Sequence, residues 1–370
     1  MGRRTVQLLG AALVAACCVV AAESAQAQAL PRSSVAPAPS QVAPPEIPAQ
    51  PLPITRAPAP AAPEPLVAPP GAEQLTFVLS GIDIEGEFQE FVSVRRELAA
   101  PLIGKRITVA QVFQFANELQ QAYVRAGYIL ARVVVPPQEL EGSARVKVTV
   151  IDGFIERTDV TGLSEIIRGR VSAVLAPLLG KRHLTQTELQ RRLLIAGDTP
   201  GLKLQSTLAP GKEVGGTVLI LSGLYRPVSA NLYTDDAMPR TLGTWQVYSL
   251  AALNGLLGAG EQIAVNATGF PDHDFFTAHP TRRFLSGALA LPLGIEGFKL
   301  GVTGTDGRTT PRVDPTIATQ GRFDQLRVQL AYDAVKRRDF ELTFSARFEA
   351  TDERIDSLVF NPPLPLSLDA

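Results

Sequence analysis

The sequence predicts two α+β modules in tandem followed by an antiparallel β-sheet domain, and three observations predict it. One phrase occurs twice, as LIGKRIT at 102–108 and LLGKRHLT at 178–185. Each copy sits inside the same order of apolar patterns, so each unit reads β-α-α-β-β over about 70 to 80 residues. From Arg226 onward the helical period stops and alternation of apolar with polar residues takes over.

The elements follow in chain order. Residues 1–27 begin with Arg3 and Arg4, run apolar from Val6 to Ala22 and end in small residues that fit an Ala-x-Ala cleavage site at 25–27. That is the pattern of a secretory signal; a short membrane anchor or a lipoprotein box at Val14–Cys17 are the alternatives. Both cysteines, Cys17 and Cys18, lie inside it, so its removal leaves no thiol for a disulfide or a thiolate metal site. Residues 28–73 read as a linker, because fourteen prolines between 31 and 70 deny the backbone its donors and favour an extended polyproline-like spacer. A formal charge of −1 offers no electrostatic footprint for nucleic acid.

The first module spans 74–153. A strand at 75–86 leads to a helix near 89–100, and Thr108 with Gln111 forms a capping box for a helix over 109–126. Val112, Ala116, Leu119 and Tyr123 fall on one face of that helix, and Gly127 ends it. Strands follow at 128–134 (YILARVV) and 145–151 (RVKVTVI), closed by Asp152 and Gly153. The second module, 154–223, repeats the order: a strand at 154–163, a helix at 164–178, Thr185 and Glu188 capping a helix at 188–196, then strands at 202–208 and 217–221. The repeated Gly-Lys-Arg reads as solvated charge at a helix start; an anion site built from Lys105, Arg106, Lys181 and Arg182 is the alternative.

Residues 224–370 carry seven alternating strands, near 226–234, 244–253, 261–269, 283–292, 296–304, 322–334 and 339–350. Phe340, Leu342, Phe344, Ala346 and Phe348 alternate with Glu341, Thr343, Ser345, Arg347 and Glu349. A soluble sandwich and a membrane barrel both show this alternation. The connections, however, alternate long and short beginning with a long one, as barrel loops and turns do, which places the modules on the short-turn side. On the barrel reading Lys299, Arg327, Glu341, Arg347 and Glu349 line a pore; on the other they form a solvated face. Seven strands fall below the roughly eight of the smallest closed barrels.

The β-α-α-β-β units resemble polypeptide-transport-associated (POTRA) modules. Two of them after a signal and a Pro-rich spacer, followed by barrel strands with a Pro-Leu-Gly turn in FLSGALALPLGIEGFKLGVTGT (284–305), are similar to the outer-membrane transporters of two-partner secretion, the TpsB or hemolysin secretion/activation family. The resemblance implies a transmembrane barrel of sixteen strands, so the seven here read as its N-terminal part. The Arg-Gly-Tyr type motif of a later barrel loop has no match, which leaves a truncated transporter as one expectation. The resemblance also implies periplasmic modules that capture a secreted TpsA-type exoprotein, a β-helical adhesin, cytolysin or toxin, by β-augmentation on the second strand of a module. That strand maps to Tyr128, Ile129, Leu130, Ala131, Arg132, Val133 and Val134 and, more weakly, to 202–208. Outer-membrane lipid and the barrel-assembly machinery are the other implied partners, and no cofactor is implied. A non-transporting periplasmic scaffold with a soluble β domain is the competing reading.

Catalysis finds no support in the residues. No G-x-S-x-G, H-E-x-x-H or P-loop pattern occurs, and GLLGAGEQ at 255–262 lies between strands with no helix after it. His273 and His279, beside Asp272 and Asp274, are too few for a lasting metal site. The chain is therefore expected not to be an enzyme.

Overall fold

The computed structural model describes residues 37–44, 65–312, 318–360 and 362–365; the predicted signal and most of the linker lie outside the described residues. In the first module β1 (Thr76–Glu85) leads through a 3-10 turn at Gln89–Phe91 into α1 (Val92–Ala99). Then come β2 (Arg106–Thr108), α2 (Val109–Arg125), β3 (Arg132–Val134) and β4 (Ser143–Ile151). The sheet order is β2-β1-β4-β3, with β1 and β4 parallel and the other pairs antiparallel. The first capping box is complete: Gln111 N donates to Thr108 Oγ1 at 3.2 Å, and Thr108 N donates to Gln111 Oε1 at 2.9 Å. Helix α2 thereby enters at an angle that buries Phe115, Ala116, Leu119 and Tyr123 with Phe77 and Leu79 of β1 and Val146 and Val148 of β4.

The second module has β5 (Phe154–Gly162), α3 (Glu165–Leu175) with a 3-10 turn to Leu178, α4 (Gln186–Gly197), β6 (Leu202–Pro210) and β7 (Gly216–Tyr225). Its sheet runs β5-β7-β6. Here the capping box is half made: Thr185 accepts from Glu188 N at 3.3 Å, but the Glu188 carboxylate pairs with Lys181 instead of reaching back.

Two local features depart from the sequence reading. The strand expected at 128–134 shortens to 132–134, because Ile129 and Leu130 leave the first module and are buried in the core of the second, among Ile155, Ile167, Leu189 and Leu193. The three-residue β2 was too short to show alternation; Ile107 is buried and its neighbours are not. The joint between modules is tight. Gln186 N donates to Gly127 O at 2.8 Å, the His183 ring lies 4.0 Å from the Phe88 ring, and a Cβ at Gly153 would come 2.1 Å from Leu130 O.

All seven expected strands of the last domain form, as β8 (Val228–Asp235), β9 (Gln246–Asn254), β10 (Gln262–Gly269), β11 (Arg282–Leu293), β12 (Phe298–Thr309), β13 (Thr319–Lys336) and β14 (Glu341–Ser357). A two-residue β15 (Leu364–Pro365) pairs with the end of β14. They form one antiparallel meander in sequence order, eight strands wide. Only Arg226 and Pro227 separate β7 of the second module from β8, so the module hands its last strand directly to the sheet.

The second module is clamped to the near end of the sheet, at the turn between β11 and β12 and the last residues of β13. Arg191 donates to the carbonyls of Asp333 (2.7 Å) and Glu296 (2.8 Å), and Arg192 to Ile295 O (3.0 Å) and Glu296 Oε1 (2.6 Å). Asp198, at the end of α4, pairs with Lys299 and Lys336, and both lysines also hold the buried Asp333. Charge-assisted bonds of this kind contribute about 1.5–3 kcal/mol each when their partners are desolvated.

Part of the linker is not an extended spacer. Pro39–Val42 forms a 3-10 turn, and Val42 is buried with Leu242, Phe284 and Phe323 on one face of the sheet. Arg282, itself buried, donates to Val42 O. An apolar residue within the Pro-rich stretch thus found an apolar site that the sequence pattern does not announce.

Candidate docking edges and membrane-facing sheet

Register assigns every sheet residue to a face. One face carries Thr303, Arg327, Gln325, Glu349 and Arg347, together with the segment at 39–44. These polar groups bond among themselves: Arg327 Nε donates to Glu349 Oε2 at 3.0 Å and Gln325 Nε2 to Glu349 Oε1 at 2.8 Å. Thr303, Gln325, Arg327 and Glu349 border a cleft of about 530 Å³. Of the residues expected to line a pore, Arg327, Arg347 and Glu349 lie on this face. Lys299 and Glu341 share it but sit at the rim, in the ionic network with Asp198, Asp333 and Lys336.

The opposite face is apolar and uncovered. Val228, Leu253, Ile263, Leu289, Val302, Val328 and Phe348 form a single row across β8 to β14. Leu232 is 74% exposed, Val265 58%, Phe344 61% and Phe348 65%. A soluble sheet of this size buries such a face, since contiguous apolar patches beyond a few hundred Å² are rare on soluble monomers. The row nearest the modules ends in aromatics: Phe298 and Tyr332 stack at 4.2 Å, and Phe344 lies directly opposite Tyr332. Ten residues further along the same strands stand Arg308, Arg322 and Arg354. At about 3.3 Å per residue and a strand tilt near 40°, the aromatic and arginine rows are about 25 Å apart in height, the thickness of a barrel's apolar band.

Each module sheet ends in two edge strands, β2 and β3 in the first and β5 and β6 in the second, and β3 and β6 are the ones the sequence singles out for docking. The first, β3, is three residues long, and the amide of its central Val133 already donates to Gln120 Oε1 at 3.1 Å. Of the residues expected to form this edge, Arg132, Val133 and Val134 are strand; Tyr128, Ile129, Leu130 and Ala131 are turn. Tyr128 donates its hydroxyl to Glu90 Oε1 at 2.7 Å, which holds the Glu90 carboxyl below its ordinary range. The second edge, β6, pairs with β7 over its full nine residues, from Leu202 opposite Tyr225 to Pro210 opposite Thr217. It lies last in its sheet, buries Leu202 and Leu204, and exposes Lys203, Gln205 and Thr207.

The basic residues of the second copy are otherwise engaged. Lys181 pairs with Glu188, and Arg182 stacks on Phe154 at 4.0 Å while donating to Asp152 O at 2.7 Å. Among the described residues no group of His, Cys, Asp or Glu is arranged to hold a metal ion. Asp272, beside His273, is held by Arg312 at 2.6 Å.

Comparison with known proteins agrees with this architecture. Residues 77–153 match the POTRA domain of ShlB type. Curated relatives include the outer membrane transporter CdiB of Escherichia coli O6:K15:H31, strain 536, 24% identical over 225 residues, which covers 60% of this chain and 37% of that protein. The hemolysin transporter protein ShlB of Serratia marcescens is 27% identical over 238 residues, covering 63% of this chain and 41% of that one. The chain thus spans about two-fifths of the length of these relatives. Its fold is similar to that of CdiB from Escherichia coli, with a TM-score of 0.57 at 19% identity over 81% of this chain and 59% of that structure. The first module is thus similar to a POTRA domain of the ShlB type, and the chain as a whole is similar to outer-membrane transporters such as CdiB and ShlB.

Proposed function

We propose that the chain belongs to an outer-membrane protein transporter, with its modules in the periplasm and its meander in the lipid. A secreted partner adds a strand to a module edge and passes, unfolded, along the polar face of the barrel. The carrying observation is the continuity of β7 into β8, which joins a module bearing a nine-residue open edge to a sheet that is apolar outside and polar inside. Edge pairing supplies affinity through main-chain bonds that do not depend on the partner's sequence, and alternate side chains supply selectivity. Length and continuity favour β6 over β3 as that edge. Transport needs no catalysis by this chain. The partner's class is a secreted exoprotein of the adhesin, cytolysin or toxin kind, and insertion of the sheet depends on barrel-assembly machinery.

The test is hydrogen exchange on the chain with and without the N-terminal region of a secreted protein encoded by a neighbouring gene. Strand addition slows exchange at outward amides of 202–209 at least tenfold. Unchanged exchange at both β6 and β3 in a complex that demonstrably forms would refute capture by strand addition.

A further inference from the structure

The arginine row on the apolar side of the sheet carries chemistry that transport does not use. Arg283, Arg308, Arg322 and Arg354 lie directly opposite one another across β11, β12, β13 and β14. Like charges placed opposite across neighbouring strands repel, so a ladder of four needs counter-charge. The structure supplies part of it. Asp306, one step nearer the apolar band, pairs with Arg283 at 3.8 Å and with Arg308 at 3.6 Å. Arg283 also donates to Phe275 O at 3.0 Å and Thr277 O at 3.3 Å, under the loop that follows β10. Asp324 and Asp352 complete the lower row beside Asp306, yet among the described residues Arg322 and Arg354 form no ion pair, and both are exposed.

We propose that Arg308, Arg322 and Arg354 bind the phosphates of a phosphorylated glycolipid of the lipid A kind in the outward-facing leaflet. Three features point there. The row lies about 25 Å in height from the aromatic row at the module end, so its guanidinium groups stand where the apolar band gives way to headgroups. Guanidinium forks match phosphate oxygens in pairs, and long stems let the heads settle at the headgroup layer while their methylenes cover apolar surface. The three span two strand spacings, about 10 Å, which suits a headgroup with two phosphates better than one with a single phosphate. The adjoining dent among Leu232, Ser249, Ala251, Val265, Leu285 and Gly287 offers apolar surface to acyl chains on the same face.

The inference rests on the sheet lying in the outer membrane, but not on transport. The test titrates the full chain in detergent micelles with bisphosphorylated lipid A, dephosphorylated lipid A and phosphatidylglycerol, counting bound lipid by native mass spectrometry. The expected result is at least tenfold tighter binding of bisphosphorylated lipid A than of either other lipid. Arg322→Gln with Arg354→Gln removes most of that preference, Arg322→Lys with Arg354→Lys keeps part of it, and Arg338→Gln, in the exposed turn at the opposite end, keeps all of it. Equal binding of the two lipid A forms, phosphatidylglycerol binding as tight as lipid A, or an undiminished preference in the double glutamine variant would each overturn the site. A chain that binds lipid A but secretes nothing leaves the site standing and sinks transport alone; a chain that refuses vesicles sinks both.

Discussion

Val328 is the most informative position for a single charge. It lies on the apolar face of β13, directly between Val302 of β12 and Phe348 of β14. Four residues separate it from Tyr332 in the aromatic row and six from Arg322, which puts it about 10 Å above the inner boundary of a band about 25 Å tall. A side chain at that depth faces the middle of the hydrocarbon. Val328→Arg should therefore cost about 2–4 kcal/mol, a shift of roughly 30- to 1000-fold in the folded fraction. Ser345→Arg, on the polar face of the adjacent strand, should stay within about 0.5 kcal/mol, as surface substitutions do. Trp245, the single tryptophan, stands immediately before β9 and reports the sheet. Its emission during guanidinium unfolding in lipid vesicles gives both numbers. Equal costs at 328 and 345 would refute the assignment of the two faces.

Further outcomes follow from the modules. Replacing Arg191 and Arg192 together by alanine removes the donors that hold the turn at 294–297 and the β13 bulge at 333–334, so hydrogen exchange in α4, in that turn and at the bulge should rise at least tenfold while the Trp245 midpoint stays put. Unchanged exchange would show that the clamp holds nothing. Burial pushes the Tyr123 phenol up to about 12. The folded module thus keeps that proton more tightly than the unfolded chain, whose tyrosine titrates near 10, and the associated stability, about 3 kcal/mol at most, is complete below pH 10 and lost between pH 10 and 12. Circular dichroism of the alkaline transition should show a shallower slope in Tyr123→Phe; an identical slope contradicts it.

Much of the fold was legible because its signals are local. Thr108 with Gln111 announced the start of α2, and the alternation around Phe344 announced β14. What failed was decided at a distance. Ile129 and Leu130 have strand-forming side chains, yet a neighbouring module's core took them. Glu188 has the right spacing for a box, but Lys181 competes for its carboxylate. The strands expected at 296–304 and 339–350 run on to Thr309 and Ser357, because Asp306-Gly307-Arg308 and Asp352-Glu353-Arg354 keep pairing after the apolar alternation has ended. The roles of Asp198 and of the arginine row depend on partners in other elements, and only register reveals them.

The account depends most on which way the greasy face points. In a chain with Cys17 and Cys18 replaced by serine, a single cysteine at 302 or at 303 can carry a fluorophore, and brominated lipids in vesicles can quench it by depth. Val302→Cys should be quenched strongly by bromines deep in the acyl chains, and Thr303→Cys, one residue on and facing the polar side, hardly at all. Equal quenching at the two positions, or stronger quenching at 303, would contradict a sheet that turns its apolar face to lipid.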